Sequence, residues 1–204
     1  MAFSPFARFR NFTVENLKAL LDVYPDQAEK MTWGEAGEEI ENISKGYKRT
    51  SYQQACQFGL EDRGLENFRV QTYLYTFDDD YLNKYVEFWI KTYFAPNPYV
   101  NSDDEPMLIY CELAKEILAN SDYRVDYYDF FNRKIGGKSD DILMNALKAY
   151  CKPLKYEKIG DKHYFYIEQQ NIEYLESQIE FIENEFAIPN LSLIHISEPT
   201  RRRG

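Results

Sequence analysis

The sequence predicts a mainly α-helical chain with small β elements, an α+β arrangement. A helical N-terminal domain with a short strand or hairpin leads into a winged-helix-like unit and then a C-terminal amphipathic helix. Three observations predict it. Apolar residues recur at spacings of three and four in several separate stretches, the mark of helices with one buried face. The pair Gly160-Asp161 separates two short runs rich in Tyr and Ile, as a tight hairpin requires. No apolar run approaches the roughly 20 residues a membrane helix needs, so the chain is expected in the cytoplasm with no membrane contact.

Taken in order, Thr13 opens a helix whose stripe is Val14, Leu17, Leu21 and Tyr24, and Pro25 stops it. Thr50 and Ser51 cap a short helix that ends at Gly59, a candidate second helix of a helix-turn-helix. Phe68 to Phe77 alternates like a strand. Asp78, Asp79 and Asp80 cap the strongest helix, with Leu82, Tyr85, Val86, Trp89, Ile90 and Tyr93 on one face. Residues 101 to 105 read as a linker, which places a domain boundary between 1–100 and 101–190. Pro106 is expected to start a helix from Met107 to Leu118, and another spans Tyr127 to Ile135, ending at Gly136-Gly137. Ser139 caps a helix expected to run from Asp140 to Lys152, with Ile142, Leu143, Ala146, Leu147 and Tyr150 inward. After the hairpin, Ile172, Leu175, Ile179, Ile182 and Phe186 follow a 3-4-3-4 spacing. That last helix packs on its own domain or, through residues 171–186, on a protein partner or second copy.

Residues 191 to 201 match the in-frame translation of a transposon end used in sequencing libraries, so residues 191–204 are read as a non-native, adapter-derived tail and Arg201 to Arg203 carry no function. The chain as given has a formal charge of −10. Charge is unevenly spread, however. Residues 133 to 162 hold Arg133, Lys134, Lys138, Lys148, Lys152, Lys155, Lys158 and Lys162 against Asp140, Asp141, Glu157 and Asp161. One basic segment thus sits in an acidic protein, and at a wet surface local charge outweighs the sum because screening acts within about 8 Å.

That basic segment coincides with the helix and hairpin of the winged-helix-like unit. Helical spacing turns Asn145, Lys148 and Lys152 outward together. Asn can read a base edge with two hydrogen bonds and Lys can neutralise a phosphate. Lys138, Lys155, Lys158, Lys162 and His163 complete the candidate surface for double-stranded DNA, with about four neutralised phosphates and a salt slope near −3.6. Lys48, Arg49, Gln53 and Gln57 form a secondary candidate on the earlier capped helix. A non-enzymatic winged-helix protein-interaction module or a transcriptional regulator is the alternative.

Catalytic signatures do not appear. No glycine pattern resembles a phosphate-binding loop, no lysine has an acid two residues before it as metal-dependent nucleases use, and no catalytic or metal-ligating residue is assigned. Cys56, Cys111 and Cys151 sit in apolar surroundings and read as reduced core thiols.

The Thr50 to Ala55 opening, the aromatic helix that ends in the turn from Trp89 to Pro98, the Pro-started helix from Pro106 to Leu118 and the unit from Ser139 to Ile167 together resemble the DNA-recognition part of type IIS restriction endonucleases of the AlwI kind. The resemblance implies a bacterial restriction or defence protein whose recognition region comes first. A metal-dependent nuclease domain would follow it downstream. Within these residues no cofactor is then expected, and Mg2+ would belong to that further domain.

Overall fold

The computed structural model describes residues 13–15, 17–18, 78–95, 107–135 and 141–185. The expected strand from Phe68 to Phe77, the early helix-turn-helix, the 101 to 105 linker, Ser139 and the adapter-like tail lie outside these residues.

Helix α1 (Asp79–Lys91) begins as its acids predict. The Asp78 carboxylate accepts a hydrogen bond from the Tyr81 amide at 3.0 Å, and Asp79 and Asp80 occupy the positive end of the helix. Its inner face buries Leu82, Val86 and Ile90. Two short strands follow, β1 (Phe94–Ala95) and β2 (Met107–Leu108), paired antiparallel. The expected helix start at Met107 is thus corrected: pairing with β1 holds Met107 and Leu108 extended, and α2 runs over Ile109–Ala119. It is the central helix, with Ile109, Tyr110, Cys111, Leu113, Ala114 and Ile117 all buried. Each such large apolar side chain contributes roughly 1.5–3 kcal/mol by leaving water.

Next come β3 (Arg124–Asp126), α3 (Tyr127–Lys134), α4 (Asp141–Tyr150), β4 (Lys155–Ile159), β5 (Lys162–Tyr166), a single 3-10 turn (Gln169–Asn171) and α5 (Ile172–Glu185). The sheet order is β3-β5-β4 with both pairings antiparallel. A helix, a strand, two helices and then a hairpin whose second strand pairs with that first strand is the order of a winged-helix-like unit. Strand β3 had not been foreseen. Its three residues carry no pattern of their own, and they are extended because Val125 pairs with Phe165 across the sheet.

One buried cluster joins these elements. Val125 and Phe165 cover the inside of the sheet, and Phe165 meets Tyr127 and Tyr156 edge-on with ring centroids 5.7 Å apart in each case. Leu175, Ile179 and Ile182 of α5 join the same cluster, and an ion pair between Lys115 and Glu183 links α2 to α5. Helix α1 lies on the N-terminal side of the boundary expected near residue 100, yet Leu82, Val86 and Ile90 belong to this core, as do Val14 and Leu17. Among the described residues no helix is long and apolar enough to cross a membrane.

Two polar features are built into the core. Cys111 and Cys151 are buried free thiols; burial pushes the Cys111 thiol up to about 12 and raises that of Cys151, so neither is a ready nucleophile. Lys91 is only 6 % exposed. Its ammonium donates to the Lys152 carbonyl at 2.7 Å and to Gln178 Oε1 at 3.2 Å. It also pairs with Glu87 at 2.5 Å and lies 5.1 Å from the Tyr110 ring centre. The Tyr110 hydroxyl donates to the same Gln178 oxygen at 2.9 Å. A buried charge needs this many partners to offset its desolvation, and the result ties α1 to α5 and to the turn between α4 and β4.

Candidate nucleic-acid interface

Helix α4 turns Leu143, Met144, Ala146 and Leu147 into the core, which leaves Asp141, Asn145 and Lys148 exposed. Asn145 and Lys148, three residues apart, therefore stand outward on one side as expected. Lys152 is exposed too, but the helix had been expected to reach it and instead ends at Tyr150. Pro153 has no N–H to donate to a preceding turn, so the helix cannot continue through it. Lys152 lies in the following turn, where its carbonyl is held by Lys91.

The wing closes at Gly160-Asp161, because Ile159 and Lys162 pair across it. Gly160 has φ +60, the left-handed conformation that glycine adopts without strain in such a turn. Alternation along β4 and β5 then decides where each wing lysine goes. Tyr156 pairs with Phe165 and Lys158 with His163, so these four share the face turned to the helices. Lys155, Glu157, Ile159, Lys162, Tyr164 and Tyr166 share the outer face, with Arg124 and Asp126 of β3 beside them. The single basic patch expected from the sequence is thereby corrected: it is split between the two sides of the sheet.

The outer lysines are also neutralised. Lys155 pairs with Glu168 at 2.5 Å, and that hydrogen bond raises its pKa. Lys162 sits 3.7 Å from Asp126. Arg124 lies 2.9 Å from Glu157 and over the Tyr164 and Tyr166 rings, at 5.5 and 6.0 Å from their centres. By contrast, Lys158 on the inner face, Lys148 on α4 and Lys152 in the turn after it have no carboxylate partner among the described residues. The Lys148 ammonium lies 4.4 Å from the Tyr156 ring centre, a cation–π contact that bridges α4 to the wing. Lys138, Lys48, Arg49, Gln53 and Gln57 lie outside the described residues.

Around His163 the elements converge. The Tyr156 hydroxyl is 2.7 Å from His163 Nδ1. The Tyr128 ring stands edge-on to the imidazole at 4.9 Å, and its hydroxyl donates to Asp141 Oδ1 at 2.5 Å. That hydrogen bond to a carboxylate pushes the Tyr128 phenol up to about 12. Thus α3, the start of α4 and both wing strands are joined through Tyr128, Asp141, Tyr156 and His163. Sequence reasoning singled out His163 alone; for Tyr156 a signal existed, its even spacing from Lys158 along one strand.

Among the described residues no group of three His, Cys, Asp or Glu side chains could hold a metal ion. A groove of about 310 Å³ lies between α2 and α5, where Glu176, Glu180 and Glu183 make its wall acidic. It is no place for a nucleic acid. Comparisons with protein-family models, with curated proteins and with solved structures find no match to this chain.

Proposed function

We propose that the inner side of the winged-helix unit contacts duplex DNA. The observation that carries this reading is the sorting of the lysines. Lys148, Lys152 and Lys158, like Asn145, are exposed, and these lysines have no carboxylate partners among the described residues, while Lys155 and Lys162 are paired with acids on the outer face of the sheet. An α-helix fits the major groove, which is roughly 12 Å wide. With α4 lying there, Asn145 is the residue suited to an adenine edge and the three lysines to flanking phosphates. The resemblance to type IIS restriction enzymes points to a short specific site as the DNA bound, with cleavage chemistry supplied by another domain.

Titration of labelled duplex DNA by fluorescence anisotropy, repeated across salt concentrations, tests the reading. Three neutralised phosphates give a slope of log affinity against log salt of about −2.7, shallower than the value near −3.6 expected before the lysines were sorted. No binding, or binding indifferent to salt, would favour the rival protein-interaction module, for which Ile159, 51 % exposed beside the wing turn, is the natural apolar contact.

A further inference from the structure

We propose that His163 donates a hydrogen bond from Nε2 to a backbone phosphate of the bound DNA, and that Tyr156 is the positioning residue that keeps a hydrogen on that nitrogen. The inference rests on the DNA reading above and names how the surface where α4 meets the wing grips one phosphodiester.

The chemistry follows from a single contact. Tyr156 Oη and His163 Nδ1 are 2.7 Å apart, a full hydrogen bond. A phenol is a good donor and a poor acceptor, whereas the unprotonated nitrogen of an imidazole is a strong acceptor, so the hydroxyl donates to Nδ1. The neutral ring must then carry its hydrogen on Nε2. In the cationic ring both nitrogens carry one, and Tyr156 accepts instead. Nε2 is therefore a donor in either state, and it has no partner among the described residues.

The surroundings select an anion for that donor. Lys158 is the cross-strand partner of His163, which places their Cβ atoms roughly 5 Å apart on the same face. Lys148 brings a second ammonium over the Tyr156 ring, 4.4 Å from its centre. The nearby acid, Asp141, is engaged by the Tyr128 hydroxyl, and Tyr128 fixes the imidazole edge-on at 4.9 Å. An N–H between two ammonium groups suits an unesterified oxygen of a phosphodiester, with the ammoniums on the phosphates that flank it. The opposite tautomer would aim a lone pair at that oxygen and repel.

The experiment uses the full 204-residue chain, labelled with 15N. Long-range 1H–15N correlations of the imidazoles report the tautomer directly, and a His195→Gln variant separates the signals of the second histidine. The expected wild-type pattern is hydrogen on Nε2 with Nδ1 as acceptor. Tyr156→Phe keeps the ring beneath Lys148 but loses the hydroxyl; the tautomers should mix and duplex affinity fall about 5-fold, the scale of one hydrogen bond. Its salt slope should not change, because no ammonium is lost. His163→Gln, whose amide nitrogen stands where Nε2 stood, should retain more affinity than His163→Phe. A wild-type ring with its hydrogen on Nδ1 overturns the proposal whatever DNA does. So does Tyr156→Phe binding as tightly as wild type, or His163→Gln binding no better than His163→Phe. Failure of the wild type itself to bind duplex DNA is a different result, since it removes the DNA reading before any variant is made.

Discussion

The two faces of the wing sheet start from similar residues and arrive at opposite electrostatics. Both faces carry lysine beside tyrosine. On the outer face Lys155 and Lys162 meet Glu168 and Asp126, and Arg124 meets Glu157, so positive charge is cancelled where it arises. On the inner face Lys158 is paired across the sheet with His163, Lys148 of α4 lies over the Tyr156 ring, and neither has a carboxylate partner among the described residues. Net charge alone could not separate these cases. What matters is which partner the backbone register supplies.

Lys91 sharpens the contrast, because it is a lysine taken out of water altogether. Lys91→Met removes the pair with Glu87 and leaves the Lys152 carbonyl and Gln178 without their shared donor. The expected loss is roughly 2–3 kcal/mol of unfolding free energy in a denaturant titration. Lys155→Met, on the solvated outer face, should leave the denaturation midpoint unmoved within error, since exposed ion pairs contribute little. Equal effects from the two changes would mean that Lys91 is not the pin the geometry describes.

A smaller effect is expected at Tyr128. Its folded pKa, raised to about 12 chiefly by the hydrogen bond to Asp141, exceeds the ordinary tyrosine value of 10.0. The folded state thus holds this proton more tightly than the unfolded chain does. The associated stability is fully present below about pH 10 and is lost as pH rises toward about 12. Tyr128→Phe should flatten that part of the stability curve, measured by denaturant unfolding at a series of alkaline pH values. An unchanged fall would assign it elsewhere, for instance to the buried Cys111 thiol, whose raised value lies in the same window.

Local chemistry made much of this fold legible. The cap at Asp78, the glycine turn at Gly160 and the inward stripes of α1, α4 and α5 are set by neighbours in sequence, and the expected elements occur there. Elements created by distant partners were not legible. Strand β3 exists through β5, β2 through β1, and the burial of Lys91 through Lys152 and Gln178. The candidate site falls between these cases. Asn145 and Lys148 followed from helical spacing, whereas the division of the wing lysines followed from parity: Lys155 and Lys158 are an odd number of residues apart, and strand side chains alternate. Counting charges along the segment hid what counting positions would have revealed.

The central claim is that one face, not the total charge, binds DNA, and two double reversals measured side by side test it most directly. Lys148→Glu with Lys158→Glu and Lys155→Glu with Lys162→Glu have the same formal charge. The inner pair is expected to lower duplex affinity roughly 100-fold and to reduce the salt slope from about −2.7 to about −0.9. The outer pair should change affinity by less than about 3-fold. Equal losses from both pairs would contradict the account, because binding would then follow net charge and the sorting of the lysines by the sheet would have no part in it.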